Sequence, residues 1–277
     1  MENYSVLMSV YHQANPRHFE LAIQSMLSQT CPTNDLVIVC DGPLTEELNA
    51  VLDVYSCKYP TVMNVVRLPE NKGIGVAANI GLQHCKNDLV AKMDADDISI
   101  PERCEIQLKM FASDPDLVVA GGYIEEFCKD PCRPFAIRNV PTGNDEIRKF
   151  ARRRQPFNNM TVMYRKKAVM SIGGYRDFRR SEDYDMYLRL LHSGCLAANY
   201  NGVLVKARVD CSANERRASW DTLKGCVRSR WYALRIGYSS LSDFLVCTIG
   251  GVLVFISPPK LQNVFYRRFL RKKCVNE

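Results

Sequence analysis

The sequence is poor in several features that would point to familiar chemistry. Its 277 residues hold four histidines, His12, His18, His84 and His192, with no triad-like arrangement among them. The twelve cysteines are scattered and contain no C-x-x-C pair; Cys128 and Cys132 are the closest two. That spacing excludes the usual zinc frameworks, and the expectation is free thiols in a reducing cytosol. No signal peptide is legible ahead of the first strand-like run. The apolar stretch Phe244–Ile256, 13 residues long, falls short of the roughly 20 residues that a spanning helix needs. There is no internal repeat, no low-complexity tract and no aromatic-glycine RNA-binding signature. With 47% hydrophobic and 24% charged residues, disorder is excluded for most of the chain.

What is present alternates. Tyr4–Val10 is β-rich, and Asn15-Pro16 reads as a helix N-cap with proline at the first helical position. Leu36–Cys40, Val65–Leu68 and Leu89–Met93 are short apolar runs, separated by helical patterns through Tyr55 and over Gly75–His84. Pro101 is expected to open a further helix, and Leu117–Ala120 and Thr161–Tyr164 to be strands. Ser181 reads as the cap of a helix whose apolar stripe is Tyr184, Tyr187, Leu188 and Leu191, closed at Gly194. Such alternation predicts a mainly parallel α/β sheet flanked by helices.

The net charge of +7 is uneven. Basic residues concentrate from Lys206 to Tyr238 and again in the tail, at Arg267, Arg268, Arg271, Lys272 and Lys273. This reads either as a surface for anions or as a solvated basic face. The apolar stretch and the basic, aromatic tail that follows Pro258-Pro259 fit a helix lying on a membrane surface, with a plain buried helix as the alternative.

Three motifs carry chemistry. Asp94-Ala95-Asp96-Asp97 ends an apolar strand, and i, i+2 residues on extended backbone point the same way, so Asp94 and Asp96 are expected to face one ion. Hard oxygen ligands suit Mg²⁺ or Mn²⁺ completed by phosphate and water. A calcium hand is excluded because Ile98 stands where that loop needs an oxygen ligand. The segment Asn71-Lys72-Gly73-Ile74-Gly75-Val76-Ala77-Ala78-Asn79 brings bare N–H groups and a cation to a phosphate. It also fits a dinucleotide fingerprint, Gly73-x-Gly75-x-x-Ala78, which keeps an NAD-dependent oxidoreductase as the rival. Ser181-Glu182-Asp183-Tyr184-Asp185 offers a carboxylate general base at a helix start, against the plain alternative of acids complementing the helix dipole.

Taken in order, these pieces resemble the family 2 glycosyltransferases of the GT-A fold. The resemblance runs from about residue 4 to 205. It rests on Ser5–Tyr11, Ser25–Thr30, Val37–Gly42, Asn71-Lys72-Gly73, Met93–Asp97, Gly173-Gly174-Tyr175 and Ser181–Asp185. It implies a GT-A catalytic domain over 1–205, with a nucleotide half at about 1–97 and an acceptor half at about 98–205. A basic, apolar, membrane-associating helical region would occupy 206–277. It further implies that Val10, Tyr11 and Asp41 hold the nucleotide base and that Lys72 and Gly73 lie near the nucleotide. Asp94, Ala95 and Asp96 would meet ribose and a diphosphate-bound Mn²⁺ or Mg²⁺, with Asp96 and Asp94 as the metal ligands. Asp97 would orient the donor sugar, and Asp183, with Glu182 beside it, would be the catalytic base of a single inverting displacement. Some relatives add a late histidine to the metal; this chain has none after His192, and Arg208 is a candidate to compensate the pyrophosphate. The basic, apolar tail resembles O-antigen and capsule transferases, which implies a UDP-hexose donor, galactose or glucose. The implied acceptor is an N-acetylhexosamine on undecaprenyl diphosphate, joined through a β-1,3 linkage. The expected place is the cytoplasmic face of the inner membrane, without nucleic acid. Specificity is expected around Asp97, Phe157–Thr161 and Asp183.

Overall fold

The computed structural model describes residues 2–178, 180–209 and 220–257, and the backbone alone of 272–273. Alternating apolar residues make Tyr4–Val10 a strand, β1, buried on both faces. It pairs in parallel with β2 (Asp35–Cys40) and β4 (Leu89–Asp94), and β2 pairs in parallel with β3 (Met63–Arg67). Helices α1 (Pro16–Leu27), α2 (Glu46–Lys58) and α3 (Ile74–His84) link these strands. Asn15 does cap α1: its side chain accepts from the Arg17 and His18 amides at 3.0 and 3.2 Å.

Beyond β4 the sheet is mixed, which corrects the expectation of a mainly parallel one. The order is β3-β2-β1-β4, then β8 (Met163–Arg165), β6 (Leu117–Phe127), β7 (Ala136–Arg138) and β10 (Lys272–Lys273). β8 runs antiparallel between β4 and β6, while β9 (Leu196–Arg208) lies parallel to β6 and antiparallel to β5 (Ile98–Ser99). Antiparallel strands need no helical crossover, so the strand–helix rhythm of the first half says nothing of these pairings. Two expected boundaries also move. The helix after Pro101, α4, begins at Arg103, and the strand at Leu117 continues to Phe127.

The period of 2 along the strands sorts side chains between two cores. Val6, Met8, Ile38, Leu89, Ala91 and Met93 pack against α1, α2 and α4. Leu7, Val37, Val39 and Val90 face α3, α5 (Asn144–Ala151), α6 (Lys166–Ser171) and α7 (Glu182–His192). Lys92 and Asp94 share the parity of Val90, so they belong to the α7 side. Helices α8 (Trp220–Arg235) and α9 (Leu241–Ile256) follow, with Ala233 of α8 inside the second core.

The apolar stretch at Phe244–Ile256 is the body of α9, yet Leu241, Leu245, Ile249 and Leu253 are exposed along it. A plain buried helix is therefore not what forms. Among the described residues no helix is long and apolar enough to cross a membrane. The basic tail from Arg267 to Arg271 lies outside the described residues. Cys40, Cys57, Cys85, Cys104, Cys132, Cys195, Cys226 and Cys247 are free, but Cys128 is disulfide-bonded, which corrects the expectation of free thiols throughout. Sequence spacing carries no signal for a bridge made by the fold.

Gly81 shows how tightly the second core closes: a Cβ there would run into the side chains of Leu7 and Val39. Gly81→Leu should lower unfolding stability by ~1–3 kcal/mol through overpacking. Urea unfolding at fixed pH checks this; an unchanged midpoint would show that α3 does not sit against β1 and β2 at that point.

Candidate active site

The parallel strands end together, and the expected residues gather at their C-terminal ends, where open α/β sheets place their ligands. Val10 ends β1, and its carbonyl accepts the Asp41 amide at 2.8 Å. Tyr11 follows, exposed at the tip. The Asp41 carboxylate accepts from the backbone amides of Lys72 at 2.7 Å and Gly73 at 3.0 Å. Asp41 thus shapes the glycine loop that leads into α3, a helix whose start has no side-chain cap bond. Gly73 holds φ +88°, open to glycine with little strain. Lys72 lies on the rim, 3.8 Å from Glu70.

This loop is out of place for the oxidoreductase reading. A dinucleotide fingerprint follows the first strand of its unit directly, whereas here the glycines follow the edge strand β3, and Leu68–Lys72 intervene.

Asp94 and Asp96 do not share the one extended face that the sequence led us to expect. β4 ends at Asp94, and Ala95 and Asp96 form a turn. The i, i+2 pair on the strand is instead Lys92 and Asp94. Asp96 is exposed, whereas Asp97 is buried and accepts the Arg208 amide at 2.7 Å. Arg208 itself donates from Nε to the Asp96 carbonyl at 3.2 Å and stacks over Phe127 at 4.6 Å. Asp97 therefore latches the turn to the end of β9. Burial, and then the neighbouring Asp94 and Asp96, hold its carboxyl well above the usual carboxylate range. Burial also raises that of Asp94.

Crowded carboxylates of this kind fit a divalent cation. Among the described residues, however, no group of three or more His, Cys, Asp or Glu side chains is set to hold one unaided. An ion here would have to take most of its shell from other donors, such as a diphosphate and water.

The second acidic group comes from α7. Ser181 precedes it at φ 68°, the left-handed region, and makes no side-chain cap bond. The expected serine cap is thus absent: in this conformation the side chain does not reach the helix amides. Asp183 Oδ1 accepts its neighbour Tyr184's amide at 2.7 Å, and Oδ2 accepts from Gln155 Nε2 at 2.9 Å. Gln155 Oε1 is buried without a hydrogen-bond partner. Burial raises the Asp183 carboxyl. Glu182 is pushed up to about 7, first by burial and then by the charge of Asp183.

Asp185 has another fate. It is fully buried and pairs with Arg189 at 2.8 Å and Arg176 at 3.4 Å. Arg189 also donates to the carbonyls of Ile172 and Gly174, each at 2.6 Å. These charge-assisted bonds pin α7 to the glycine turn before it. Asn79 does the same from α3, clasping the Tyr175 amide at 2.8 Å and its carbonyl at 2.6 Å. Gly75 completes the approach, since a Cβ there would stand 3.1 Å from the Arg176 carbonyl and 3.4 Å from the Glu182 Cβ.

Lys92 joins the two acidic groups. It is 1% exposed, and burial lowers its ammonium from the usual lysine range while Asp94, Glu182 and Asp183 oppose that drop. Asp94 also acts on Asp183 directly. The structure therefore brings Asp94, Lys92, Glu182 and Asp183 within electrostatic reach of one another. Sequence reasoning missed Lys92, Gln155 and the Arg189 anchor. For Lys92 a signal existed: a charge inside the buried run Leu89–Met93 is rare unless opposite charge surrounds it.

The sequence pattern described as "Glycosyl transferase family 2" matches residues 5–179. An "Uncharacterized glycosyltransferase" of Haemophilus influenzae is 37% identical over 97% of this chain and 99% of its own length. The amylovoran biosynthesis glycosyltransferase AmsE of Erwinia amylovora is 35% identical, covering 98% of each. The UDP-Gal:alpha-D-GlcNAc-diphosphoundecaprenol beta-1,3-galactosyltransferase of Escherichia coli is 31% identical over 97% of each. Among solved structures, S. aureus TarS 1-349 in complex with UDP-GlcNAc superposes with a TM-score of 0.69. Its identity is 14%, over 96% of this chain and 76% of that one. The mannosyltransferase PcManGT from Pyrobaculum calidifontis, in complex with GDP-Man and Mn²⁺, gives 0.67 at 16% identity, over 92% and 70%. At those identities the likeness is one of fold, GT-A-like.

Glu182 has a consequence for stability. Its folded value near 7 lies above its ordinary 4.5, so the folded chain keeps a proton that the unfolded chain has released. Stability from this group is present at low pH and declines as pH rises from about 4.5 to about 7. Glu182→Gln should flatten that decline, read by urea unfolding at several pH values. An identical slope in both proteins would mean that the Glu182 carboxyl is not raised.

Proposed function

The chain belongs to glycosyltransferase family 2, and from that premise we propose that it transfers a hexose, galactose or glucose, from a UDP-sugar. The proposed acceptor is an N-acetylhexosamine carried on undecaprenyl diphosphate, during assembly of a surface polysaccharide. The observation that carries this reading is the grouping of Asp94, Lys92, Glu182 and Asp183 at the C-terminal ends of the parallel strands. The names of the AmsE and galactosyltransferase relatives support the polysaccharide role and the acceptor class. The UDP-GlcNAc complex of TarS supports the donor class.

In this reading the donor base lies at the ends of β1 and β2, against Val10, Tyr11 and Asp41, and Lys72 and Gly73 border the nucleotide. Asp94 and Ala95 meet the ribose, and Asp97 orients the donor sugar from its latch on Arg208. A bound Mn²⁺ or Mg²⁺, held by Asp96 and Asp94, supplies the charge neutralisation that a departing diphosphate needs. Asp183 takes the proton of the attacking acceptor hydroxyl while Gln155 holds its carboxylate in place. The new C–O bond forms on the face opposite the breaking one, and the bonding electrons leave with UDP. One such displacement turns an α-linked donor into a β-linked product, here assigned as β-1,3. A carboxylate lifted by burial is a better base near neutral pH than an ordinary one, which suits Asp183 and its neighbour Glu182.

Residues 1–205 form the catalytic unit in this proposal and 206–277 the membrane-facing part, on the cytoplasmic face of the inner membrane. The exposed i, i+4 stripe Leu241, Leu245, Ile249 and Leu253 on α9 supports a helix that lies at a lipid surface.

Turnover is followed as UDP release with Mn²⁺, a panel of UDP-hexoses and a lipid-diphosphate N-acetylhexosamine. Asp183→Asn should lower kcat by ~10²–10⁴-fold with UDP binding nearly unchanged. Loss of UDP binding in that variant would refute the base role, and no UDP release with any donor would refute the transferase reading of the substrates.

A further inference from the structure

The C-terminal helices build a concavity apart from the acids named above. Helices α8 and α9 and the segment before Ser181 enclose a groove of about 990 Å³. None of Asp94, Asp96 and Asp183 lines it. This is the upper end of the size range for small-molecule sites, larger than one sugar requires.

Its walls differ in character. Trp220, Trp231, Val252, Phe255 and Ile256 form the apolar side. Trp220 and Trp231 are 57% and 51% exposed, and they are the only tryptophans of the chain. Large aromatic side chains left this open on a helix pair normally mark a binding surface. The other side carries Arg180, Lys224 and Arg228, against the acids Asp177 and Asp221. The cations are placed by the aromatics: Arg228 stacks over Phe178 at 4.4 Å and Lys224 stands 5.4 Å over Trp220. A ligand that matches both walls has an anionic head and a long apolar tail.

The groove also reaches the catalytic loop. Gly225 of α8 lies so close to the Arg180 carbonyl that a Cβ would approach its oxygen to 2.5 Å. Arg180 in turn acts on the Glu182 carboxylate. An anionic head held at Arg180 is thereby delivered next to the proposed base.

We propose that this groove seats the lipid diphosphate of the acceptor. Its diphosphate meets Arg180, Lys224 and Arg228, and its first isoprene units run along Trp220, Trp231 and Phe255. The proposal rests on the reading of the acceptor as a lipid-diphosphate-linked sugar. It adds the site that recognises the carrier rather than the sugar. None of Leu241, Leu245, Ile249 and Leu253 lines the groove, but Val252 and Ile256, three residues on from Ile249 and Leu253, continue that exposed stripe into it.

Because both tryptophans line the groove, intrinsic fluorescence reports its occupancy. The full chain is titrated with farnesyl diphosphate, and separately with farnesol, inorganic diphosphate and phosphatidylglycerol vesicles. Farnesyl diphosphate should give a saturable change, with farnesol and inorganic diphosphate binding at least ~10-fold more weakly. Lys224→Gln and Val252→Asp should each weaken it by ~10-fold or more while UDP binding holds. No saturable response, an equal response to farnesol, or affinity untouched by both variants would overturn the proposal. So would vesicles that compete fully with farnesyl diphosphate, since the surface would then be a general lipid contact. If the chain transfers sugar to a lipid-diphosphate acceptor with the same KM in both variants, the groove assignment fails and the transferase reading stands. If farnesyl diphosphate binds as expected but no lipid-linked acceptor is glycosylated, the groove stands and the acceptor sugar has been misread.

Discussion

Lys92 is carried by β4 into the layer between the sheet and α7, where an ammonium ion is costly unless opposite charges surround it. Those charges come from two distant stretches of chain: Asp94, two residues on, and Glu182 and Asp183 at the start of α7. Neither acidic group is comfortable alone, because burial raises each carboxyl. The lysine between them offsets part of that cost, and the arrangement holds only while strand and helix keep their places. Asp94 and the acids at the start of α7 are thus coupled through one buried cation.

Several rigid contacts maintain those places. The Asp185–Arg189 pair and the two carbonyls that Arg189 reaches lock α7 onto the turn at Gly174. Asn79 fastens the other end of that turn to α3, whose own start is shaped by Asp41. A series of contacts therefore links Asp41, through α3 and the turn at Gly174, to the start of α7 that carries Asp183. The left-handed Ser181 sits at the end of it, in a conformation that costs about 1 kcal/mol or more for a residue with a side chain. Such strain persists where surroundings over-determine it, and here it aims the first turn of α7 at Lys92.

Much of this was legible in the sequence, and the reason is local. The Asn15-Pro16 cap, the alternation through Tyr4–Val10 and the all-apolar Leu36–Cys40 report structure within a few residues of themselves. The ordered motifs pointed to the correct family and brought Asp41, Lys72, Gly73 and Asp94 to one edge of the sheet. What failed depended on contacts distant in sequence. The antiparallel insertion of β8 between β4 and β6 leaves no periodic trace. The pairing of Asp94 with Asp96 assumed that the strand continued; it stops at Asp94, and the pattern of 2 belongs to Lys92 and Asp94 instead. Of the three acids in Ser181–Asp185, spacing alone did not separate the structural one. Asp185 is spent on two arginines, one of them nine residues before it.

The central proposal is that Asp94, which ends β4, and Asp96 just beyond it hold a divalent ion against the diphosphate of the donor. Calorimetric titration with UDP, in Mn²⁺ and in EDTA, measures this directly on the wild type and on Asp96→Ala. The expected result is tight binding to the wild type in Mn²⁺ alone, with most of that metal dependence lost in the variant. Binding that ignores Mn²⁺, or that Asp96→Ala leaves unchanged, would contradict it.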